Sequence, residues 1–262
     1  MNVRQGRYAV IGSPVAHSLS PVMQQAAFAA LRIDATYEAI EATSDRVPEV
    51  FAHLRAQQYS GWNVTTPLKE IVMSLVDRAS PEAAAARAAN TVRAEDGGTL
   101  TAHNTDGAGF VRAIRELWSW EPRGSTVLIL GTGPAARAIA IAMRNSGDVS
   151  LACWSRDATR AAQIAPPPAR IADLVVSALP ADAALPPHIE QAANDETMIF
   201  DLNYGRGRSP VAAMRGRRRS DGLPLLLHQG VLAFEWWTGL TAPLEQMRSA
   251  LRKNLPPLRA SG

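Results

Sequence analysis

The chain has one cysteine, Cys153, among its 262 residues. A single thiol forms no internal disulfide framework and cannot supply a cysteine-based zinc site, so stability must come from an apolar core. No stretch approaches the roughly 20 apolar residues that cross a bilayer, which excludes a helical span. Met1 to Arg7 is polar and runs straight into an apolar strand, without the charged-then-apolar order of a secretory signal. A cytoplasmic protein with no membrane partner is the expectation. Aromatic residues make up only 6% and are missing from the most basic stretch, where six arginines fall between Arg206 and Arg219. Clustered guanidinium groups can displace counterions from a nucleic acid. With no aromatics for base stacking and no nucleic-acid module around it, this run reads as a solvated basic loop, and no nucleic-acid partner is expected. Nor do the five histidines (His17, His53, His103, His188 and His228) show ligand spacing, so no metal site is expected.

What is present is ordinary for a globular protein, with 47% apolar and 19% charged residues and a net charge of +3, the excess almost all arginine. The length suffices for one large or two medium domains. Short apolar runs at Arg7–Ile11, Thr36–Ile40 and Gly61–Val64 read as strands. Helices are expected from Ser20-Pro21, where the serine would cap, and over Asp45–Gln57. Ser80-Pro81-Glu82 opens an Ala-rich helix, and Asp96-Gly97-Gly98 is a hairpin turn between Asn90–Arg93 and Thr99–His103. After a helix over Thr105–Trp118, the strand Thr126–Leu130 is apolar throughout, as strands buried on both faces of a parallel sheet are. Val149–Trp154, Leu174–Ser177 and Met198–Leu202 extend it, and alternation with helices argues a doubly wound domain. Leu225–Leu255 reads as helical, broken near Thr241-Ala242-Pro243.

Gly131-Thr132-Gly133-Pro134-Ala135-Ala136 follows a strand and opens a helix, the context in which a glycine fingerprint binds a dinucleotide. Gly131 permits the tight turn, Gly133 lets the backbone approach a pyrophosphate, and Ala136 keeps helix and strand close. The anion would lie on the free N–H groups of the helix start, at Pro134 and Ala135, although Pro134 itself has no donor. About 20 residues on comes Ser155-Arg156-Asp157-Ala158-Thr159-Arg160, where an arginine accommodates a ribose 2′-phosphate. Arg156 and Arg160 therefore favour NADP, with Ser155 beside them; Asp157 either repels that phosphate or pairs with an arginine.

Three further signatures precede this loop: Gly12-Ser13-Pro14-Val15-Ala16-His17-Ser18-Leu19-Ser20-Pro21, Gly61-Trp62-Asn63-Val64-Thr65-Thr66-Pro67-Leu68-Lys69, and Asn104-Thr105-Asp106-Gly107. They gather hydroxyls, amides, one amine and one carboxylate, a set suited to a small polyhydroxylated acid. Taken in order, the four signatures resemble the shikimate dehydrogenase family over nearly the whole chain. The resemblance implies an α/β fold with an N-terminal α/β substrate domain and a doubly wound Rossmann-type NADP-binding domain. The substrate domain would be discontinuous, over residues 1–105 and 223–262, with the dinucleotide-binding domain over 106–222.

By the same resemblance, Lys69 and Asp106 are the catalytic pair, and Ser18 and Ser20 bind the substrate carboxylate. Thr65, Asn90 and Gln229 contact ring hydroxyls, while Tyr204 and Gly222 lie near the nicotinamide and the domain junction. The implied reaction is the NADP-dependent, reversible reduction of 3-dehydroshikimate to shikimate, in the supply of aromatic amino-acid precursors, by a monomer or homodimer. Two alternatives stay open. One is a paralogue acting on quinate, aminoshikimate or another cyclic hydroxy acid; the other is a catalytically weak NADP-binding regulatory protein. The second draws on a departure from the family pattern at Ser177-Ala178-Leu179-Pro180, where Asn and Thr and then a Gly-Met pair are usual.

Overall fold

The structure, a computed structural model, describes residues 6–205 and 208–255. These form two compact units. The first comprises the chain up to Gly109 together with Leu227–Leu255, and the second spans Phe110–Leu226.

In the first unit six strands make a mixed sheet: β1 (Gly6–Gly12), β2 (Ala35–Glu41), β3 (Tyr59–Val64), β4 (Arg78–Ala79), β5 (Thr91–Ala94) and β6 (Leu100–His103), in the order β2-β1-β3-β5-β6-β4. β1 lies parallel to both β2 and β3, whereas β5 runs antiparallel to β3 and β6. The β5–β6 hairpin turns through Gly97 and Gly98, both at positive φ (82° and 83°), which only glycine adopts without strain. Helices α1 (Ser20–Ala30), α2 (Val47–Ala56) and α3 (Pro81–Ala86) follow β1, β2 and β4, and a 3-10 turn covers Ile71–Ser74. α3 starts as the sequence indicates, with the Ser80 hydroxyl accepting the Ala83 N–H at 3.2 Å. α1 does not. Leu19 is its N-cap with no side-chain cap, and Ser20 is the first helical residue, so the Ser20 hydroxyl is not spent on capping. Instead the Ser18 hydroxyl accepts the Ser20 N–H at 3.2 Å.

The second unit holds a five-stranded parallel sheet of β7 (Thr126–Leu130), β8 (Ser150–Trp154), β9 (Leu174–Ser177), β10 (Met198–Asp201) and β11 (Arg218–Ser220), in the order β11-β10-β9-β7-β8. Val127, Ile129 and Val176 pack into one core with Phe110 and Phe200; Leu128, Leu130 and Val175 pack into another with Ile199. Both faces are covered, which is why β7 is apolar at every position after Thr126. The chain crosses between units within α4 (Asp106–Trp118) and within α8 (Leu223–Thr238). α5 (Pro134–Asn145), α6 (Ala158–Ile164) and α7 (Pro187–Glu190) belong to the second unit, α9 (Leu244–Asn254) to the first.

The basic run departs from its expected form. Arg218–Ser220 is not a loop but the edge strand β11, hydrogen-bonded to β10. Four of its guanidinium groups have local partners: Arg215 pairs with Asp195, Arg217 with Glu196 at 3.0 Å, and Arg218 and Arg219 donate to the carbonyls of Trp118 and Met214. Arg206 lies outside the described residues. Among the described residues no helix is long and apolar enough to cross a membrane, and no group of three or more His, Cys, Asp or Glu side chains is placed to hold a metal.

His103, at the end of β6, packs at a tilt against Trp236 with ring centroids 5.3 Å apart and lies 2.7 Å from the Ser80 hydroxyl through Nδ1. Burial, the largest cause, pulls its pKa below 6.5; Glu82 opposes the shift and Arg93 adds to it. Since the unfolded chain binds this proton more readily, the contribution to stability is full above the unfolded value near 6.5 and is lost as pH falls through the lower folded value. Urea midpoints measured between pH 7.5 and 5 are expected to fall with pH, and His103→Gln to flatten that decline.

Candidate active site

Each sheet has a place where the connections of two neighbouring parallel strands depart in opposite directions, and each candidate site lies at the carboxyl ends of the strands there. In open α/β sheets this is where a crevice opens, because the connections leave the two central strands in opposite directions. In the first unit the reversal lies between β1 and β3, whose following loops carry Ser18/Ser20 and Thr65/Lys69. In the second it lies between β7 and β9, whose following loops carry Gly131/Gly133 and Ala178/Leu179.

Two backbone bonds hold the first pair of loops together, from Ser13 N–H to the Thr66 carbonyl (3.0 Å) and from Thr65 N–H to the Ile11 carbonyl (2.9 Å). Gly12 permits this approach, since a Cβ there would sit 2.3 Å from Thr65 Cγ2 and 2.9 Å from the Thr66 oxygen. Glu41, at the end of β2, accepts the Val15 N–H at 3.1 Å and so ties the Ser18 loop to the sheet. Bonds from the Ser13 side chain and the Val15 backbone hold its carboxyl below the usual carboxylate range.

Lys69 follows directly on this loop, and its Nζ donates to Asp106 Oδ2 at 2.6 Å. The two side chains are 15% and 5% exposed, so water screens the pair little. Asp106 begins α4, and the Asn104 side chain takes the Asp106 N–H at 3.0 Å. The other carboxylate oxygen, Oδ1, accepts from Asn90 Nδ2 at 2.8 Å. The same nitrogen reaches Thr105 Oγ1 at 2.9 Å and Gln229 Oε1 at 3.3 Å. Gln229 comes this close because α8 passes α4 at Gly109, where a Cβ would lie 2.7 Å from the Gln229 nitrogen. Lys69, Asp106, Asn90 and Gln229 thus form one connected cluster, although they come from four separate stretches of sequence. Thr65, on the same loop as Lys69, is half-buried; Ser18 lies on the loop after β1 and Ser20 opens α1, only 5% exposed.

The polar groups behind this cluster have no role in the sequence reading. Asn63 stands there only as a strand residue of a longer signature, yet its Nδ2 donates to the Asn90 carbonyl (3.1 Å) and Thr91 Oγ1 (3.0 Å), and its Oδ1 accepts from Tyr37 (2.7 Å). The available signal was an asparagine in the middle of an apolar strand, since a buried amide has to be satisfied.

In the second unit Gly131 turns at φ +109°, and its backbone abuts Ala178, whose N–H donates to the Leu130 carbonyl at 2.8 Å. Gly133 is the N-cap of α5; a Cβ there would meet nothing within 4 Å, and no side chain caps the helix. Thr132, Gly133, Pro134 and Ala135 are half-buried around this opening, while Ala136 is buried against the sheet. Free N–H groups at a helix start, with clear space in front of a glycine, fit a pyrophosphate.

At the end of β8 the Asp157 carboxylate accepts the Arg160 N–H at 3.0 Å and caps α6, and among the described residues it forms no ion pair with either guanidinium. Arg156 and Arg160 are exposed and make no side-chain hydrogen bond or ion pair among the described residues. Ser155 Oγ accepts the Asp157 N–H at 3.3 Å. These residues fit a 2′-phosphate at the rim of the second site. Ser177, at the end of β9, is fully buried, and its hydroxyl has no partner among the described residues. Tyr204 and Gly222 also belong to the second unit, not to the one that holds the Lys69 cluster. Tyr204 is half-buried after β10, and Gly222 allows close backbone contact, since a Cβ there would fall 2.0 Å from the Leu202 oxygen.

Two family patterns match the sequence: the shikimate dehydrogenase substrate binding domain over residues 10–92, and the shikimate 5′-dehydrogenase C-terminal domain over 222–252. A relative from Desulforamulus reducens, named shikimate dehydrogenase (NADP(+)), is 32% identical, with 94% of each chain covered. The chain belongs to the shikimate dehydrogenase family. Among solved structures, the shikimate 5-dehydrogenase of Thermus thermophilus in complex with NADP(H) and shikimate matches with a TM-score of 0.84 and 34% identity, covering 94% of this chain and 98% of that one. A 5-ketofructose reductase from a Gluconobacter strain matches with a TM-score of 0.80 and 25% identity, over 95% and 99%.

The loop contact at Gly12 gives a direct test of how the first site is built. Gly12→Ala is expected to cost about 1–3 kcal/mol in urea unfolding, the usual penalty for overpacking a tight contact. Activity should fall with it, because the Cβ pushes the Thr65 loop away.

Proposed function

We propose that the protein is an NADP-dependent shikimate dehydrogenase that reduces 3-dehydroshikimate reversibly to shikimate, an oxidoreductase of the aromatic amino-acid precursor pathway. The observation that carries this reading is the shielded Lys69–Asp106–Asn90 cluster at the strand-order reversal of the first sheet. NADP, when bound, supplies or accepts the hydride. The protein's own part is to place the ring acid and to manage one proton.

Hydride addition to a ring ketone leaves negative charge on the former carbonyl oxygen, so a proton must arrive at that atom. Lys69 is positioned to donate it as an ammonium, and in the reverse direction the neutral amine takes the hydroxyl proton. Asp106 fixes the direction of the Lys69 side chain through the 2.6 Å contact. Asn90, Thr65 and Gln229 offer amide and hydroxyl groups to the ring hydroxyls, and Ser18 and Ser20 offer two hydroxyl donors to the carboxylate. In the second unit the α5 start takes the pyrophosphate and Arg156 and Arg160 take the 2′-phosphate, with Ser155 beside them. Tyr204 and Gly222 are assigned near the nicotinamide on family resemblance alone. A cytoplasmic location and a monomeric or homodimeric state complete the proposal.

The reductase of a different substrate on the same fold favours a second reading, a paralogue acting on another polyol or cyclic hydroxy acid. A substrate panel separates the two, since turnover of quinate above shikimate would overturn the first. In steady-state assays of shikimate oxidation, Lys69→Ala is expected to lower kcat by about 10²–10⁴ with little change in KM, the usual contribution of a general acid–base group. Near-normal turnover would end the assignment. Removing both guanidinium groups (Arg156→Ala with Arg160→Ala) should raise the KM for NADP by about tenfold or more and leave that for NAD nearly unchanged, because charge-assisted contacts to a phosphate are lost.

A further inference from the structure

The polar groups behind the Lys69 cluster are linked in one direction. The main-chain oxygen of Asn90 can only accept, so the Asn63 amide must turn its nitrogen toward it, at 3.1 Å. That leaves Asn63 Oδ1 facing Tyr37, whose hydroxyl donates to it at 2.7 Å. Asn63 Nδ2 also donates to Thr91 Oγ1, and Thr91 passes its own hydrogen to Asn90 Oδ1 at 3.0 Å. The Asn90 carbonyl side is occupied in this way, with the Thr105 N–H adding a further donor at 2.8 Å. Its Nδ2 is then committed to Asp106 Oδ1, and Asp106 Oδ2 holds Lys69.

Tyr37 begins this chain. It lies on β2, 6% exposed, with its ring 6.3 Å from that of Trp237. Burial raises its pKa well above 10, so the hydroxyl remains a donor throughout the working pH range; its other polar neighbour is the Ser20 hydroxyl. Every link from Tyr37 to Asp106 is buried, where a misdirected donor finds no water to replace its partner.

We propose that Tyr37 is a positioning residue, which by donating to Asn63 Oδ1 locks the amide in the orientation the Asn90 main-chain oxygen selects, and through Thr91 and Asn90 holds Asp106 against Lys69. The value of this to catalysis rests on the dehydrogenase reading above, but the coupling itself is a property of the protein without substrate and can be tested there.

The sequence contains only two lysines, Lys69 and the exposed Lys253 near the end of α9. Amine acylation read by mass spectrometry therefore reports on Lys69, with Lys253 as internal reference. Tyr37→Phe keeps the ring and removes the donor, and should speed Lys69 modification relative to Lys253 by about fivefold, the worth of one hydrogen bond. Asn90→Ala should do the same or more, and the double variant should be no faster than Asn90→Ala alone, since both act through one chain. Asn63→Leu provides a second break in the same chain should Tyr37→Phe unfold, with thermal melting as the check. An unchanged Lys69 to Lys253 ratio in the folded Tyr37→Phe or Asn63→Leu protein would overturn the proposal. So would additive effects in the double variant, since these would show Tyr37 acting only on general stability. None of these readings depends on which ring acid is turned over, so failure of the substrate assignment would be seen separately, in the kinetic assays.

Discussion

An ionised carboxylate that water hardly reaches must be matched on each oxygen, and much of the first unit can be understood as the means of matching Asp106. One oxygen has an ammonium and the other an amide, and each donor arrives from a different strand end. The β3 loop brings Lys69, the start of β5 brings Asn90, and the carboxylate itself opens α4. Losing either donor alone would leave a buried charge partly unmatched, which costs more than the bond itself. This makes the arrangement intolerant of small errors in strand register, and the mixed sheet with its close Gly12 contact supplies the rigidity it requires.

The second unit solves a different problem at a strand-order reversal of the same kind. A dianionic phosphate and a pyrophosphate are suited by groups not otherwise engaged among the described residues, namely the helix start at Gly133 and the guanidiniums of Arg156 and Arg160. In the first unit the Lys69 cluster is bonded within itself, whereas in the second unit these groups are left open. Asp157, which in sequence stands as a possible repulsive charge, is instead bound to the α6 backbone and takes no side-chain share of the arginines.

Much of this is legible in the residues. The strand-glycine-helix pattern around Gly131, the apolar β7 and the Ser80 cap each follow from local chemistry, and the structure keeps them nearly residue for residue. Elements decided by distant contacts are not legible. The strand Arg218–Ser220 carries no β pattern of its own and exists because β10 offers it a ladder and nearby carbonyls receive its guanidiniums. Ser20 has the look of a cap because serine before proline so often is one; the helix starts one residue earlier in phase and releases that hydroxyl toward Tyr37. The Tyr37–Asn63 link joins residues 26 apart and has no signature in either segment alone.

The placing of arginines on β11 also bears on how the protein behaves in a crowded solution. The outer strand of a parallel sheet exposes a row of unpaired amides and carbonyls, a template onto which a strand from another chain can add. Here that row is only three residues long and two of them are arginines, their side chains held by neighbouring carbonyls. An incoming strand would have to strip hydration from those cations and lie alongside positive charge. The feature that resembles a nucleic-acid patch in sequence thus gives this edge of the sheet the short, cationic make-up that disfavours edge-to-edge pairing.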